Sequence, residues 1–147
     1  EAQDIINNYF DKYPGIKRYI DETIEETRRT EYARTIKGRR RYFSQINAEN
    51  AQLRAAAERA CINTPIQGSA ADMMKLAMIN VHKRMIKEEL KSLLILQVHD
   101  ELLFEVPQDE LDAVKNLAAE EMENAMPLDN VPIVVDVGHG KSWYEAH

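Results

Sequence analysis

The chain has 147 residues, 44% hydrophobic and 30% charged, with a formal net charge of -6. That length fits one domain with a real core, and the composition is that of an ordinary globular protein. No apolar run approaches the roughly 20 residues of a membrane-spanning helix, and the single Cys61 excludes an intrachain disulfide and suits a reducing compartment. Glu1-Ala2-Gln3-Asp4 is not the start of a signal peptide, and without an initiating Met the chain is expected to be a piece of a longer one. No spacing of Cys and His resembles a zinc site.

Residues 2–11 are expected to form a short helix, with Ile5, Ile6, Tyr9 and Phe10 at helical spacing. Pro14 suits the first turn of a second helix, in which Ile16, Ile20 and Ile24 recur every four residues. Residues 32–43 read as an extended ribbon turning at Lys37-Gly38. Residues 47–63 are Ala-rich and helical. Thr64-Pro65-Ile66-Gln67 then reads as a fresh helix start, with Thr as cap and Pro in the first turn, so residues 64–89 are expected to be a separate helix. Met73, Met74 and Met78 are expected in its core, with Asp72 and Lys75 as a surface pair. Residues 93–98 and 102–106 are strands joined by a very short turn. Pro107-Gln108-Asp109-Glu110 opens a helix whose first-turn acids suit its dipole, and Leu111, Val114, Leu117, Ala118 and Met122 give it one apolar face. Residues 131–137 are expected to be a last strand, ended by Gly138 and Gly140. The implied fold class is α+β: a small antiparallel sheet with a central acidic-tipped hairpin, packed against several helices.

The charge is uneven. The second half of the chain is strongly acidic, whereas residues 28–41 hold Arg28, Arg29, Arg34, Lys37, Arg39, Arg40 and Arg41 against Glu31 alone. Such a segment is either a solvated basic face or the footprint of an anionic partner, with nucleic acid the first candidate. The acidic counterpart is QVHDELLFEV, residues 97–106, where His99, Asp100 and Glu101 interrupt two apolar strands. Asp is a favoured turn residue, which alone accounts for Asp100. The flanking strands are apolar on both faces, however, so the tip is expected to emerge from a buried sheet. Two adjacent carboxylates repel unless a proton or cation offsets them, and Mg²⁺ binds through one or two carboxylates plus water and phosphate oxygens.

VHDE between two apolar strands resembles the C-terminal acidic motif of family A DNA polymerases, the bacterial DNA polymerase I type. TIKGRRRYFSQI (35–46) resembles that family's Thr-x-x-Gly-Arg-Arg-Arg segment. RAAAERACINTPIQGSAADMMKLAMI (54–79) is similar to its stretch with Glu-Arg, Asn-x-Pro-x-Gln-Gly and Ala-Ala-Asp, and VGHGKSWYEAH (137–147) to its C-terminal end. The resemblance spans nearly the whole chain. It implies template-directed DNA synthesis in which a primer 3'-hydroxyl attacks the α-phosphate of a deoxynucleoside triphosphate, with two Mg²⁺ ions in the complete enzyme.

By that resemblance Asp100 is the metal-binding catalytic carboxylate, Glu101 its supporting catalytic neighbour, and His99 a residue near the primer terminus. Arg59, Asn63 and Gln67 match residues facing the minor groove of the primer–template. Spaced by four, they share one face if the helix is continuous; if it breaks at Pro65, Gln67 reads as a capping residue and Arg59 as the partner of a nearby acid. Arg39, Arg40 and Arg41 match a segment with a DNA-backbone or structural role. Residues 1–30 would be a helical remnant of the fingers and residues 31–147 the C-terminal part of the palm. The family's first metal-binding Asp and its triphosphate-gripping helix have no counterpart here, so these residues alone are expected to be inactive and to self-associate through surfaces left open. The expected partners are primer–template DNA and deoxynucleoside triphosphates, with no membrane, in a bacterial cytoplasm at the nucleoid. A non-enzymatic DNA-binding fragment, a metal-dependent phosphate hydrolase built on Asp100 and Glu101, and a stable but inert fragment whose acids and arginines are structural are the alternatives.

Overall fold

The computed structural model of the chain describes residues 2–146. It divides into two compact units, Glu1–Ala70 and Ala71–His147.

In the first unit, α1 (Ala2–Lys12) and α2 (Pro14–Thr30) follow each other directly, with Pro14 in the first turn of α2 as its fixed φ favours. A tight ribbon comes next: β1 (Tyr32–Arg34) pairs antiparallel with β2 (Arg40–Tyr42), in the register Tyr32 to Tyr42 and Arg34 to Arg40. Its turn closes where expected, with Gly38 at a φ of +82°, a conformation that glycine adopts without steric cost. The core joins Ala33 and Phe43 to Ile46, Ala57 and Cys61, with Ile24 of α2 packed against them. Tyr19 of α2 donates its hydroxyl to the carbonyl of Ile62 at 2.7 Å. Burial raises the pKa of the Tyr19 hydroxyl and of the Cys61 thiol above their usual values.

One helix, α3 (Ala51–Lys87), replaces the two expected around Pro65. Asn50 caps it, accepting the Gln52 and Leu53 N–H groups at 2.9 and 3.3 Å. Proline inside a helix removes one hydrogen bond and costs about 3 kcal/mol, and tertiary contacts offset that here. The Thr64 side chain is buried and its hydroxyl bonds back to the Ala60 carbonyl at 2.9 Å, so it does not cap a new helix. One turn on, the buried Ser69 hydroxyl donates to the Pro65 carbonyl and accepts the Ile36 N–H of the ribbon turn at 2.9 Å.

In the second unit, the last part of α3 packs with β3 (Leu93–Val98), β4 (Glu101–Glu105) and α4 (Leu111–Glu123). Val81 and Met85 of α3 and Leu117 of α4 form the core, against which Leu90, Leu94 and Phe104 pack. Arg84 of α3 pairs with Glu88, just past the end of that helix, and with Glu120 and Glu121 of α4, which together hold its guanidinium pKa above the usual range. The strand expected at residues 131–137 does not form. Val131 makes a single bridge to Leu128, Val134 stays 76% exposed, and α5 (Trp143–Ala146) closes the described chain. A β-branched run becomes a strand only where a neighbour offers it a ladder, and among the described residues none does. The Asp72–Lys75 surface pair is also corrected: Asp72 is only 8% exposed. Met73, Met74 and Met78 are half-buried at the margin of the core.

Gly68 lies where the ribbon turn meets α3. A Cβ there would stand 2.7 Å from Thr35 Cγ2. Gly to Ala normally stabilises a helix by about 1 kcal/mol, but Gly68→Ala should destabilise the chain by roughly 1–3 kcal/mol through that overlap. Adding Thr35→Ser, which deletes the clashing methyl and keeps the hydroxyl, should recover most of the loss. Thermal unfolding of the single and double variants checks this; a stabilising Gly68→Ala would show that the turn does not press on the helix.

Candidate functional site

The acidic stretch forms a hairpin. Val98 pairs with Glu101, leaving His99 and Asp100 as a two-residue turn, so Glu101 belongs to β4 and not to the tip. His99 has a φ of +53°, the left-handed conformation that such tight turns demand and that His tolerates better than most residues. Its carbonyl accepts the Gln97 side-chain amide at 2.6 Å. Asp100 is exposed, and Glu101 is half-buried at the mouth of the strand pair. Among the described residues only one face of the hairpin is covered, not both as its composition suggests: Leu94 and Phe104 face the core, while Leu93, Ile95 and Leu96 are exposed.

Two registers coexist within it. Leu93 pairs with Glu105 and Leu94 with Phe104, but beyond a bulge at Ile95 the register shifts, so that Leu96 pairs with Leu103 and Gln97 with Leu102. A bulge adds one residue to one strand, and it re-aims the side chains beyond it. The open end is fastened by Glu110, from the 3-10 turn Gln108–Glu110 that precedes α4. Its carboxylate accepts the Lys91 and Ser92 N–H groups at 2.9 Å each and the Ser92 hydroxyl at 2.6 Å. Read from the sequence, Glu110 is a first-turn acid complementing a helix dipole; only the fold shows that it reaches 18 residues back to the start of β3. The Ser92 hydroxyl first, and then the Lys91 N–H, hold its pKa below the usual carboxylate value.

Arg59, Asn63 and Gln67 are all exposed along continuous α3, where a spacing of four keeps them on one face. Among the described residues none of their side chains has a hydrogen-bond or ion-pair partner. Thr64 does not cap, and nearby Glu58 pairs with Arg28 instead of Arg59. The ribbon arginines differ from one another. Arg39 donates to the Gly68 carbonyl at 3.0 Å and so ties the ribbon to α3. Arg40 stacks over the Tyr32 ring with its guanidinium carbon 4.6 Å from the centroid, and Arg41 lies 5.2 Å from that of Phe43. Both remain exposed, which leaves them able to meet an anion while the rings limit their freedom.

The acidic tip fits a hard cation only as a partial ligand set. Among the described residues no group of three or more His, Cys, Asp or Glu side chains could hold a metal. One exposed carboxylate with a half-buried neighbour suits an ion that also binds phosphate oxygens and water, which is the habit of Mg²⁺.

The family model described as DNA polymerase family A matches residues 1–145. DNA polymerase I of Caldicellulosiruptor bescii is 50% identical over 145 residues, covering 99% of this chain and 17% of that protein. DNA polymerase I of Bacillus caldotenax is 44% identical over 146 residues, covering 99% of this chain and 16% of its own length. Among solved structures, the chain is similar to the POL domain of Pol1 from M. smegmatis in complex with DNA primer-template and dNTP, with a TM-score of 0.95 and 47% identity over 99% of this chain and 26% of that one. The chain thus spans 16 to 17% of the length of these curated relatives.

The Glu110 anchor carries a pH signature. A carboxylate whose folded pKa lies below its unfolded value stabilises fully above the usual carboxylate range, and that stability is lost as pH falls, because the unfolded chain takes up the proton first. The difference in unfolding temperature between the unsubstituted chain and Glu110→Gln should therefore be largest at neutral pH and shrink as pH drops below the usual carboxylate value. An unchanged difference at acid pH would show that the ionised carboxylate is not what holds Ser92.

Proposed function

The chain belongs to DNA polymerase family A, and on that premise we propose that it is the part of a DNA-directed DNA polymerase that presents one metal-binding carboxylate to the primer end and one helix face to the duplex. The observation that carries this reading is the hairpin tip, with Asp100 exposed at a two-residue turn and Glu101 locked into the register beside it. A strand-held carboxylate is positioned more precisely than one on a loop.

In this reading Asp100 would hold Mg²⁺, one of two ions in the complete enzyme. Glu101 supports it, and His99 lies near the primer terminus. Such an ion, when bound, would favour deprotonation of the attacking hydroxyl and stabilise the negative charge on the leaving oxygen. The primer 3'-hydroxyl loses its proton to solvent as its oxygen bonds to the α-phosphorus, the α–β phosphoanhydride bond breaks, and pyrophosphate leaves. Arg59, Asn63 and Gln67 face the minor groove near the insertion site, where Asn and Gln can donate to the A N3 and T O2 acceptors. G and C also offer acceptors there, so such contacts sense pair shape without reading sequence. Arg40 and Arg41 meet the DNA backbone, and Arg39 positions the ribbon.

The same reading makes residues 1–30 part of the fingers and the remainder part of the palm, in a cytoplasmic, nucleoid-associated enzyme that also acts in repair. These 147 residues alone extend no primer, because a two-metal reaction needs opposed carboxylates. The exposed Leu93, Ile95 and Leu96 would favour self-association of the isolated chain.

In the whole polymerase, Asp100→Ala should lower single-turnover nucleotide incorporation on the order of 100-fold or more, the scale seen when one transition-state charge stabiliser is removed, while DNA binding survives. Glu101→Ala should cost less. Near-normal incorporation by Asp100→Ala would remove the assignment, and a larger loss at Glu101 would reverse the two roles.

Arg59→Ala and Gln67→Ala should each slow extension from a paired primer end by about tenfold, the worth of one good hydrogen bond, and alter discrimination against a mispaired one. Variants that lose thermal stability but keep their kinetics and mismatch response would make these residues structural.

A further inference from the structure

The hairpin contains a conflict that its own strands do not resolve. Its open half, Leu93 and Leu94 against Glu105 and Phe104, is in one register, and its tip half, Leu96 to Val98 against Leu103 to Glu101, is shifted by one residue. The bulge at Ile95 joins them. Packing of Leu94 and Phe104 on the helices holds one face of the ribbon, but the bulge keeps its place along the strand only where the main chain itself is pinned. Expelling it would slide β3 by one residue past β4, and a one-residue slip turns side chains to the opposite face. The Val98–Glu101 pair that defines the turn would then be lost, and with it the direction of Asp100 and Glu101.

The two-residue turn fixes the tip half only while the bulge stays at Ile95. The open half needs a second fixed point, and the described structure offers one. Glu110 lies five residues beyond the end of β4 and binds Lys91 and Ser92, the two residues that precede β3. It therefore closes the end of the hairpin opposite the turn, tying the start of one strand to the chain leaving the other. Ser92 is buried beneath this contact. Two of the three groups that Glu110 binds are backbone N–H groups, so the contact fixes the position of the main chain itself.

We infer that Glu110 is a positioning residue for the acidic tip: by pinning the start of β3 it holds the bulge at Ile95 and so the register in which Asp100 and Glu101 are presented. This rests on the reading of Asp100 as a metal-binding carboxylate and adds to it a residue at the end of the hairpin opposite the tip.

The test uses the whole polymerase carrying Glu110→Ala or Glu110→Gln, the second keeping one acceptor should the first fold poorly, with Asp100→Ala alongside. Amide hydrogen exchange across residues 93–98 should rise in the Glu110 variants. Single-turnover incorporation should fall about tenfold, as displacements of about 1 Å remote from the chemistry can do. The Mg²⁺ concentration for half-maximal rate should rise, and affinity for primer–template should stay unchanged. A merely structural contact would lower the active fraction and leave the Mg²⁺ midpoint where it was, and that result, or an unchanged rate, overturns the inference. Normal incorporation by Asp100→Ala would instead overturn the reading beneath it, whereas an inactive Asp100→Ala beside Glu110 variants with an unchanged Mg²⁺ midpoint would remove only the role given to Glu110.

Discussion

A ribbon of two strands can hold carboxylates against a reacting centre only if its register cannot slip. Fixing that register is the constraint that organises the second unit. The turn at His99 and Asp100 sets the tip, the bulge at Ile95 absorbs one extra residue, and Glu110 fastens the open end. Leu94 and Phe104 then pack on Val81, Met85 and Leu117, so that α3 and α4 form the floor on which the ribbon lies. His99 accepts a left-handed backbone, a conformation uncommon outside glycine, because the register allows only two residues for the reversal.

In the first unit the corresponding constraint is the continuity of α3 through Pro65. Arg59, Asn63 and Gln67 share a face only because the helix does not restart at Thr64. The ribbon β1–β2 helps to keep it whole. Its turn donates the Ile36 N–H to Ser69, Ser69 donates to the carbonyl of Pro65, and Arg39 binds the carbonyl of Gly68. Gly68 is small at the one place where the Thr35 methyl presses closest. The basic segment is thus both a brace for α3, through Arg39, and an exposed cationic edge, through Arg40 and Arg41.

Most of this was legible where local signals dominate. The helices at either side of Pro14, the ribbon turning at Lys37-Gly38, the hairpin with its acidic tip and the apolar face of α4 can all be read from periodicity and turn chemistry. The four-residue spacing of Arg59, Asn63 and Gln67 was legible too, but whether it meant a shared face depended on Pro65. Thr64-Pro65-Ile66-Gln67 has every local mark of a helix start; burial of Thr64 and the bonds through Ser69 come from segments distant in sequence, and they outweigh it. Residues 131–137 have strand composition without a ladder to join. Asp72 and Lys75 looked like a surface pair because spacing cannot show that Asp72 faces inward. Glu110 was hidden for the opposite reason: its position already had a sufficient local explanation, so nothing in the sequence pointed to a contact with Ser92.

The central claim is that the hairpin tip is where a divalent metal meets this chain, and the most direct measurement of it does not depend on catalysis. In the whole polymerase bound to primer–template and an incoming nucleotide, Fe²⁺ substituted for Mg²⁺ in the presence of ascorbate and peroxide cleaves polypeptide beside the site it occupies. The expected result is backbone cleavage at residues 99–101 that excess Mg²⁺ suppresses and Asp100→Ala abolishes. Cleavage elsewhere with the hairpin intact, or cleavage at the tip that persists in Asp100→Ala, would contradict the account.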